Sequence, residues 1–285
     1  MNLYNTEEAA KILGVNVSTI KRWSSAGKLK CIRTAGGHRK FEMTHLTEFI
    51  QNGQKPNTRI NSIPMDRAED SRISEWILKS DFKNLVNYIQ KQAIHCNRNK
   101  ILDVFKGMVL AKIPLYDIYD HLITPTLHQI GSTWEKGQIS VIEEHFASQT
   151  LKDTITRLQG MINFPEKKLG VVMAMNLENE LHDIVLKMVD HILEFRGYKV
   201  LYSGQLTPLI NLEHIFDDYA PKRLYISSTY VENLTNAQLE FDSICQTAER
   251  FNLKIFVGGS GFDYIDYNKE PVINRLHSFK DIYSI

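Results

Sequence analysis

Cysteine is scarce in this chain: Cys31, Cys96 and Cys245 stand far apart, and no C-x-x-C pair occurs. A disulfide framework, a thiolate zinc site and thiol-based metal sensing are therefore excluded as organising features. Long apolar runs are also missing, since none approaches the ~18 residues needed to span a bilayer. The opening Met1-Asn2-Leu3-Tyr4-Asn5 has neither the basic nor the apolar region of a secretory leader. The expected location is cytoplasmic, with no membrane partner. No nucleophile–base set or cluster of metal ligands stands out, so the chain is not expected to be an enzyme.

What is present is enough for two or three domains: 285 residues, 43% hydrophobic and 24% charged. The charge is unevenly spread. Residues 1–55 hold 9 Lys/Arg against 4 Asp/Glu, while the remainder holds 25 against 29. A basic head on a mildly acidic body suits a protein whose head meets phosphate.

In that head, Asn5 followed by Glu8 forms a capping-box pattern. Ala9, Ala10, Ile12 and Leu13 then make a short apolar helical face, and Gly14 ends the helix. Asn16 is placed to cap a second helix over 17–26. Val17, Ile20 and Trp23 share one face of it, whereas Ser18, Thr19, Lys21 and Arg22 point outward with the chemistry of groove edges and phosphates. Residues 29–42 predict a hairpin turning near Ala35-Gly36-Gly37, flanked by Arg33, His38, Arg39 and Lys40. Such a cationic wing grips the backbone and fixes register. Residues 4–50 resemble the MerR-type winged helix-turn-helix, in Glu8-Ala9-Ala10, Gly14-Val15, Thr19-Ile20-Lys21-Arg22-Trp23 and Gly36-Gly37-His38-Arg39-Lys40-Phe41. The resemblance implies dimeric binding to near-palindromic double-stranded promoter DNA.

Residues 52–69 are polar and contain Pro56 and Pro64, which predicts a linker after a head over 1–51. Residues 70–165 carry apolar side chains at helical spacing throughout, in runs that include Leu115–Ile130 and Val141–Leu158. Pro114, Pro125, Gly131 and Gly137 are expected to divide them into a four-helix bundle. Within this stretch lies Trp134, then Glu144 and His145, in the order W-x9-E-H.

From 166 to 285, apolar runs at 169–175, 199–203, 223–228 and 254–257 alternate with helical patterns at 181–195, 209–219 and 238–251. Alternating βα units predict a doubly wound parallel sheet of Rossmann or flavodoxin type. The whole is thus a multidomain α and α/β chain. Ligands of such sheets sit at the carboxyl ends of the strands. Glu180, His182 and Val185 lie just past the first.

The run from Ile130 to His145 resembles the cap bundle of cobalamin-binding MerR-type regulators, the CarH/LitR-like group. That resemblance implies that Trp134, Glu144 and His145 cover the upper face of the corrin. The segment at Glu180 is similar to the cobalamin-binding domain of methionine synthase and corrinoid proteins. Its pattern is Asp or Glu, any residue, His, two residues, Gly. Here it implies His182 as the lower axial ligand of cobalt, with Glu180 or Asp183 orienting the other ring nitrogen. Ser227, Gly258 and Gly259 match the positions that line the buried nucleotide tail. The chain departs at Val185, where glycine would let helix and tail approach closely. After Trp134 stands Glu135 rather than a second histidine, so an upper histidine would have to come from elsewhere.

The resemblances imply a DNA-binding regulator whose oligomeric state, dimer or tetramer, and promoter binding respond to cobalamin, adenosylcobalamin being favoured. They also imply light as a signal and repression as an outcome. Two other readings stay open: a cobalamin-independent regulator that answers to a protein partner or another ligand, and a corrinoid carrier for methyl transfer.

Overall fold

The computed structural model describes residues 3–34, 36–51, 68–177, 180–268 and 273–285. The chain forms two compact units, 1–163 and 164–285. Most of the linker segment lies outside the described residues, as does Ala35 of the hairpin turn; Ala68 and Glu69 already belong to a helix.

The first unit opens with α1 (Thr6–Leu13), α2 (Val17–Ser25), β1 (Ile32–Arg33), β2 (Arg39–Lys40) and α3 (Met43–Gln51). Asn5 and Glu8 form the capping box, and Gly14 closes α1 at φ 64°, a left-handed value that glycine adopts without strain. The β1–β2 hairpin is antiparallel, with Gly37 in its turn at φ 78°. Ile20 is fully buried, and the Trp23 ring packs on Phe49 of α3 with centroids 4.7 Å apart. The apolar face of the second helix therefore closes on a third helix.

The helical run continues with α4 (Ala68–Leu78), α5 (Phe82–Ile94), α6 (Arg98–Leu110), α7 (Leu115–Asp117), a π-helical turn (Ile118–Ile123), α8 (Thr124–Glu135) and α9 (Val141–Gln159). α5, α6, α8 and α9 form the bundle, and α4 packs on α5 and α6. Two expected divisions are corrected. Pro125 does not break the run, because it sits in the first turn of α8 directly after the wider π-turn, and the Thr126 hydroxyl donates to the Leu122 carbonyl at 2.6 Å. Gly131 lies inside α8 rather than at a turn. The chain reverses at Gly137, φ 68°, and the Ser140–Glu143 capping box starts α9.

The second unit holds β3 (Gly170–Asn176), α10 (Ile184–Phe195), β4 (Tyr198–Tyr202), α11 (Leu212–Tyr219), β5 (Arg223–Ser227), α12 (Leu234–Arg250), β6 (Lys254–Gly258), β7 (Ile273–Arg275) and α13 (Phe279–Ser284). The sheet is parallel throughout, in the order β4-β3-β5-β6-β7. Met173, Met175, Leu224, Ile226, Ile255 and Val257 face α11 and α12, burying Phe216 and Phe241 with them. α10 packs on β3 and β4 and against α13. Helices on both faces make the sheet doubly wound, with its order reversing at β3. The edge strand β7 and helix α13 were not anticipated: three residues, Ile273-Asn274-Arg275, carry too little periodicity to announce a strand. The helix expected from 181 begins at 184, leaving 181–183 as a loop.

Candidate functional site

β3 ends at Asn176, and the loop that follows positions the acid–histidine pair. Glu180 is 2% exposed, yet its carboxylate is fully engaged. Oε1 accepts from the His182 amide at 2.7 Å and lies 2.7 Å from Nδ1 of the same ring. Oε2 accepts from the backbone N–H of Thr229 at 2.5 Å and of Tyr230 at 3.0 Å, just past β5. Burial pushes the carboxyl up, but the His182 ring and the amides of Tyr230, His182 and Thr229 outweigh it and hold Glu180 below the ordinary carboxylate range. Glu180 is thus an ionised clamp that sets the tautomer and direction of an imidazole 60% exposed at the surface.

Asp183, the other orienting residue considered, ties down the surrounding loop. It accepts from the Tyr202 hydroxyl and from Gln205 Nε2, each at 3.3 Å. Burial, then the nearby Asp183 charge, raises the Tyr202 phenol well above its usual value, so it stays a donor. Gln205 also donates to the Leu181 carbonyl at 2.6 Å, and the Leu206 N–H to the Glu180 carbonyl at 3.4 Å. This lashing leaves Leu181 and Leu206 exposed beside His182, an apolar rim that sequence reasoning missed.

The strand ends beneath are polar and unpaired. Asn176 and Ser227 are buried, and neither the Asn176 amide atoms nor the Ser227 hydroxyl has a partner among the described residues. Gly258 is the next residue across the sheet from Ser227. Gly259, at φ 94°, lies against Ser228, whose carbonyl oxygen would stand 2.1 Å from a Cβ placed there. Val185 is half-buried in the first turn of α10. A cleft of about 360 Å³ opens beside Glu180, with Leu177, Tyr230, Asn233 and Glu240 in its lining.

In the first unit, Trp134 ends α8 with 44% of its surface exposed. Glu144 and His145, four and five residues into α9, bond to each other, Oε2 to Nδ1 at 3.1 Å, while Glu144 Oε1 accepts from Ser148 at 2.6 Å. Val141, Ile142 and Phe146, within the apolar run over 141–158, are all exposed. They lie in the first two turns of α9, at the same end of the bundle as Trp134. An apolar patch at that end is the kind of feature that marks a binding surface.

The head presents Ser18, Lys21, Arg22, Arg33 and His38 as exposed side chains, with Thr19 half-buried. Arg39 and Lys40 are only partly accessible. Arg39 donates to the Ser25 hydroxyl at 2.9 Å, tying β2 to the end of α2. It thereby orients the wing relative to the second helix.

The donor set fits a corrinoid. A carboxylate-oriented imidazole at a strand end is a competent axial ligand, and the unpaired Asn176 and Ser227 groups call for a polar occupant. Val185 is the one element of the motif that differs. Comparison with known proteins bears on the head and on the helical bundle. Residues 3–54 match the family model of a helix-turn-helix domain, and residues 86–159 match that of a B12 binding domain. The chain therefore contains a helix-turn-helix domain at its head and, in the helical bundle, a segment of B12 binding domain type.

Its relatives divide along the same line. It is 21% identical over 269 residues to the HTH-type transcriptional repressor CarH of Myxococcus xanthus, covering 90% of this chain and 89% of that one. It is 21% identical over 182 residues to dimethylamine corrinoid protein 3 of Methanosarcina acetivorans, covering 64% of this chain and 85% of the relative. The fold is shared with the monomethylamine corrinoid protein of Methanosarcina barkeri, at a TM-score of 0.58 and 14% identity, over 71% of this chain and 96% of the other.

Proposed function

We propose that this chain is a DNA-binding transcriptional regulator that responds to a cobalamin. The observation that carries the reading is the Glu180–His182 pair at the end of β3, in a chain that also bears a helix-turn-helix head. His182 would hold the cobalt, and Glu180, engaged with Nδ1, would keep the other ring nitrogen free for it. Trp134, Ile142 and Phe146 are surfaces suited to a flat corrin ring. When bound, cobalamin would supply a metal centre for that imidazole and, in the adenosyl form, a light-labile cobalt–carbon bond. The protein's part is linkage: a ligand that binds one assembly better shifts the population toward it, and promoter affinity follows. Repression is the expected sign, in line with the CarH relative. The head stands against a methyl carrier, which has no use for a DNA-binding domain.

The test is to mix the protein with adenosylcobalamin in darkness and record its visible spectrum, elution volume and promoter affinity before and after green light. A histidine-ligated spectrum with a light-reversed oligomer supports the full reading. A bound cofactor without a change of size leaves a cobalamin sensor that light does not gate. Absence of bound colour overturns the cobalamin reading and favours a cobalamin-independent regulator, the outcome Val185 would explain.

A further inference from the structure

The second unit is acidic overall, with 17 Asp/Glu against 12 Lys/Arg over 164–285, yet one edge of its sheet is basic. Lys167 and Lys168 precede β3, Lys199 lies at the start of β4, Lys222 precedes β5 and Lys254 begins β6. The strands are parallel, so these five lysines gather at the amino ends, opposite the carboxyl ends that carry Glu180 and His182. Pairing sets three of them in a row. Lys199 stands level with Val171 of β3, the Val171 carbonyl accepts the Lys222 amide at 2.9 Å, and the Lys222 carbonyl accepts the Lys254 amide at 3.4 Å. Across β4, β3, β5 and β6 that row is ~14 Å long at the ordinary strand spacing.

All five side chains are exposed, and none forms an ion pair or a side-chain hydrogen bond among the described residues. Of the acids near this edge, Asp218 is taken by His214 at 3.3 Å and Glu213 by Arg250. Helices α10, α11 and α12 end just before β4, β5 and β6, and their carbonyl ends attract cations. No lysine of the row donates to one of those carbonyls, however, so capping the helices does not account for them. Like charges on neighbouring strands disfavour one another. An anion laid along the row removes that cost.

We infer that this lysine edge is a second, sequence-independent contact for double-stranded DNA, gripping phosphates of the duplex that the head has bound. The inference rests on the DNA-binding reading above. Lysine is a point charge without the fork that reads a base edge, so such contacts add affinity and salt dependence but no sequence preference. Duplex DNA presents one negative charge per about 1.7 Å, so a row of ~14 Å meets several phosphates at once. The head belongs to the same chain, and duplex held there is at high local concentration for a weak second contact. An acidic protein surface is the other class of partner for such an edge, and the same measurement separates the two.

The full chain is titrated onto a fluorescently labelled random-sequence duplex several helical turns long, and anisotropy gives the affinity across roughly 50 to 200 mM salt. Lys199→Gln, Lys222→Gln and Lys254→Gln combined should lower the slope of log affinity against log salt by ~0.9 for each lysine that meets a phosphate, up to ~2.7 per chain. Arginine at the same three positions keeps the charge and should keep the wild-type slope. Both triple variants change exposed side chains and should unfold at the wild-type temperature. Arg33→Ala, in the head, should subtract its own ~0.9 in either background. An unchanged slope in the glutamine variant overturns the inference and leaves the edge to an acidic protein. A slope lost equally in the arginine variant overturns it too, because charge is then not the cause. A wild-type slope that Arg33→Ala lowers and the glutamine variant does not sinks this inference alone, whereas failure of the wild type to bind duplex at low salt sinks the DNA-binding reading with it.

Discussion

Glu180 reaches two ways at once: one carboxylate oxygen lies 2.7 Å from Nδ1 of His182, and the other accepts the amides of Thr229 and Tyr230 from the next strand end. The exposed ring is thereby tied to the sheet through a buried charge. A residue that orients a ligand is also a structural strut, and substitutions at its two ends should behave differently.

Glu180→Ala strands the Thr229 and Tyr230 amides and is expected to cost about 1–3 kcal/mol of stability. Glu180→Gln keeps an acceptor and should cost less. Both variants should weaken cobalamin binding by roughly 10- to 100-fold, as loss of an orienting partner does. Urea unfolding and absorbance titration check the two effects separately.

His182→Ala should leave stability nearly unchanged, since the ring is 60% exposed. It should abolish the histidine-ligated cobalamin spectrum. Identical bound spectra for wild type and variant would remove His182 as the ligand.

Trp134→Ala and Phe146→Ala separate binding surface from core. Both side chains are about half exposed, so calorimetry should find only a modest loss of stability. A core role would instead cost about 3–5 kcal/mol. Cobalamin affinity is expected to fall in both.

His191, inside α10, supplies a pH dependence. Burial, then the Lys187 charge, lowers its pKa from 6.5 to about 3, so the folded chain holds the ring neutral. On acidification the unfolded chain takes up a proton first. The contribution is therefore complete above pH 6.5 and is lost as pH falls from 6.5 to about 3. It is on the order of 4 kcal/mol at its largest. His191→Leu should flatten the profile of unfolding free energy between pH 7.5 and pH 5.

In the head, Arg33 and Arg39 should part company. Arg33→Ala, at an exposed site, is expected to reduce the slope of log affinity against log salt by ~0.9 for one lost phosphate contact. Arg39→Ala should weaken DNA binding further by freeing the wing from α2, and Ser25→Ala should reproduce part of that loss. Fluorescence anisotropy across a salt series measures both.

Much of this was legible in the residues. Capping signals at Asn5 and Glu8, left-handed positions at Gly14 and Gly37, and apolar periodicity are local, so the head, the bundle and the alternating βα order were readable in advance. The wide spacing of Trp134, Glu144 and His145 and the Glu180–His182 pair were also visible, since side-chain type and separation are properties of the chain itself. What the chain could not disclose depends on contacts between distant residues. Strand β7 exists because β6 offers it an edge, not because three residues favour it. Ile142 and Phe146 have core periodicity and yet meet solvent, because helical spacing records a face and not what covers it. Asn176 became a candidate only once parallel pairing set it beside Ser227 with both amide atoms buried and unmatched. The choice between Glu180 and Asp183 as the clamp on His182 was likewise tertiary, decided by where β5 delivers the amides of Thr229 and Tyr230. Local sequence determined the elements and the reactive residues; the register of distant strands decided which of them meet.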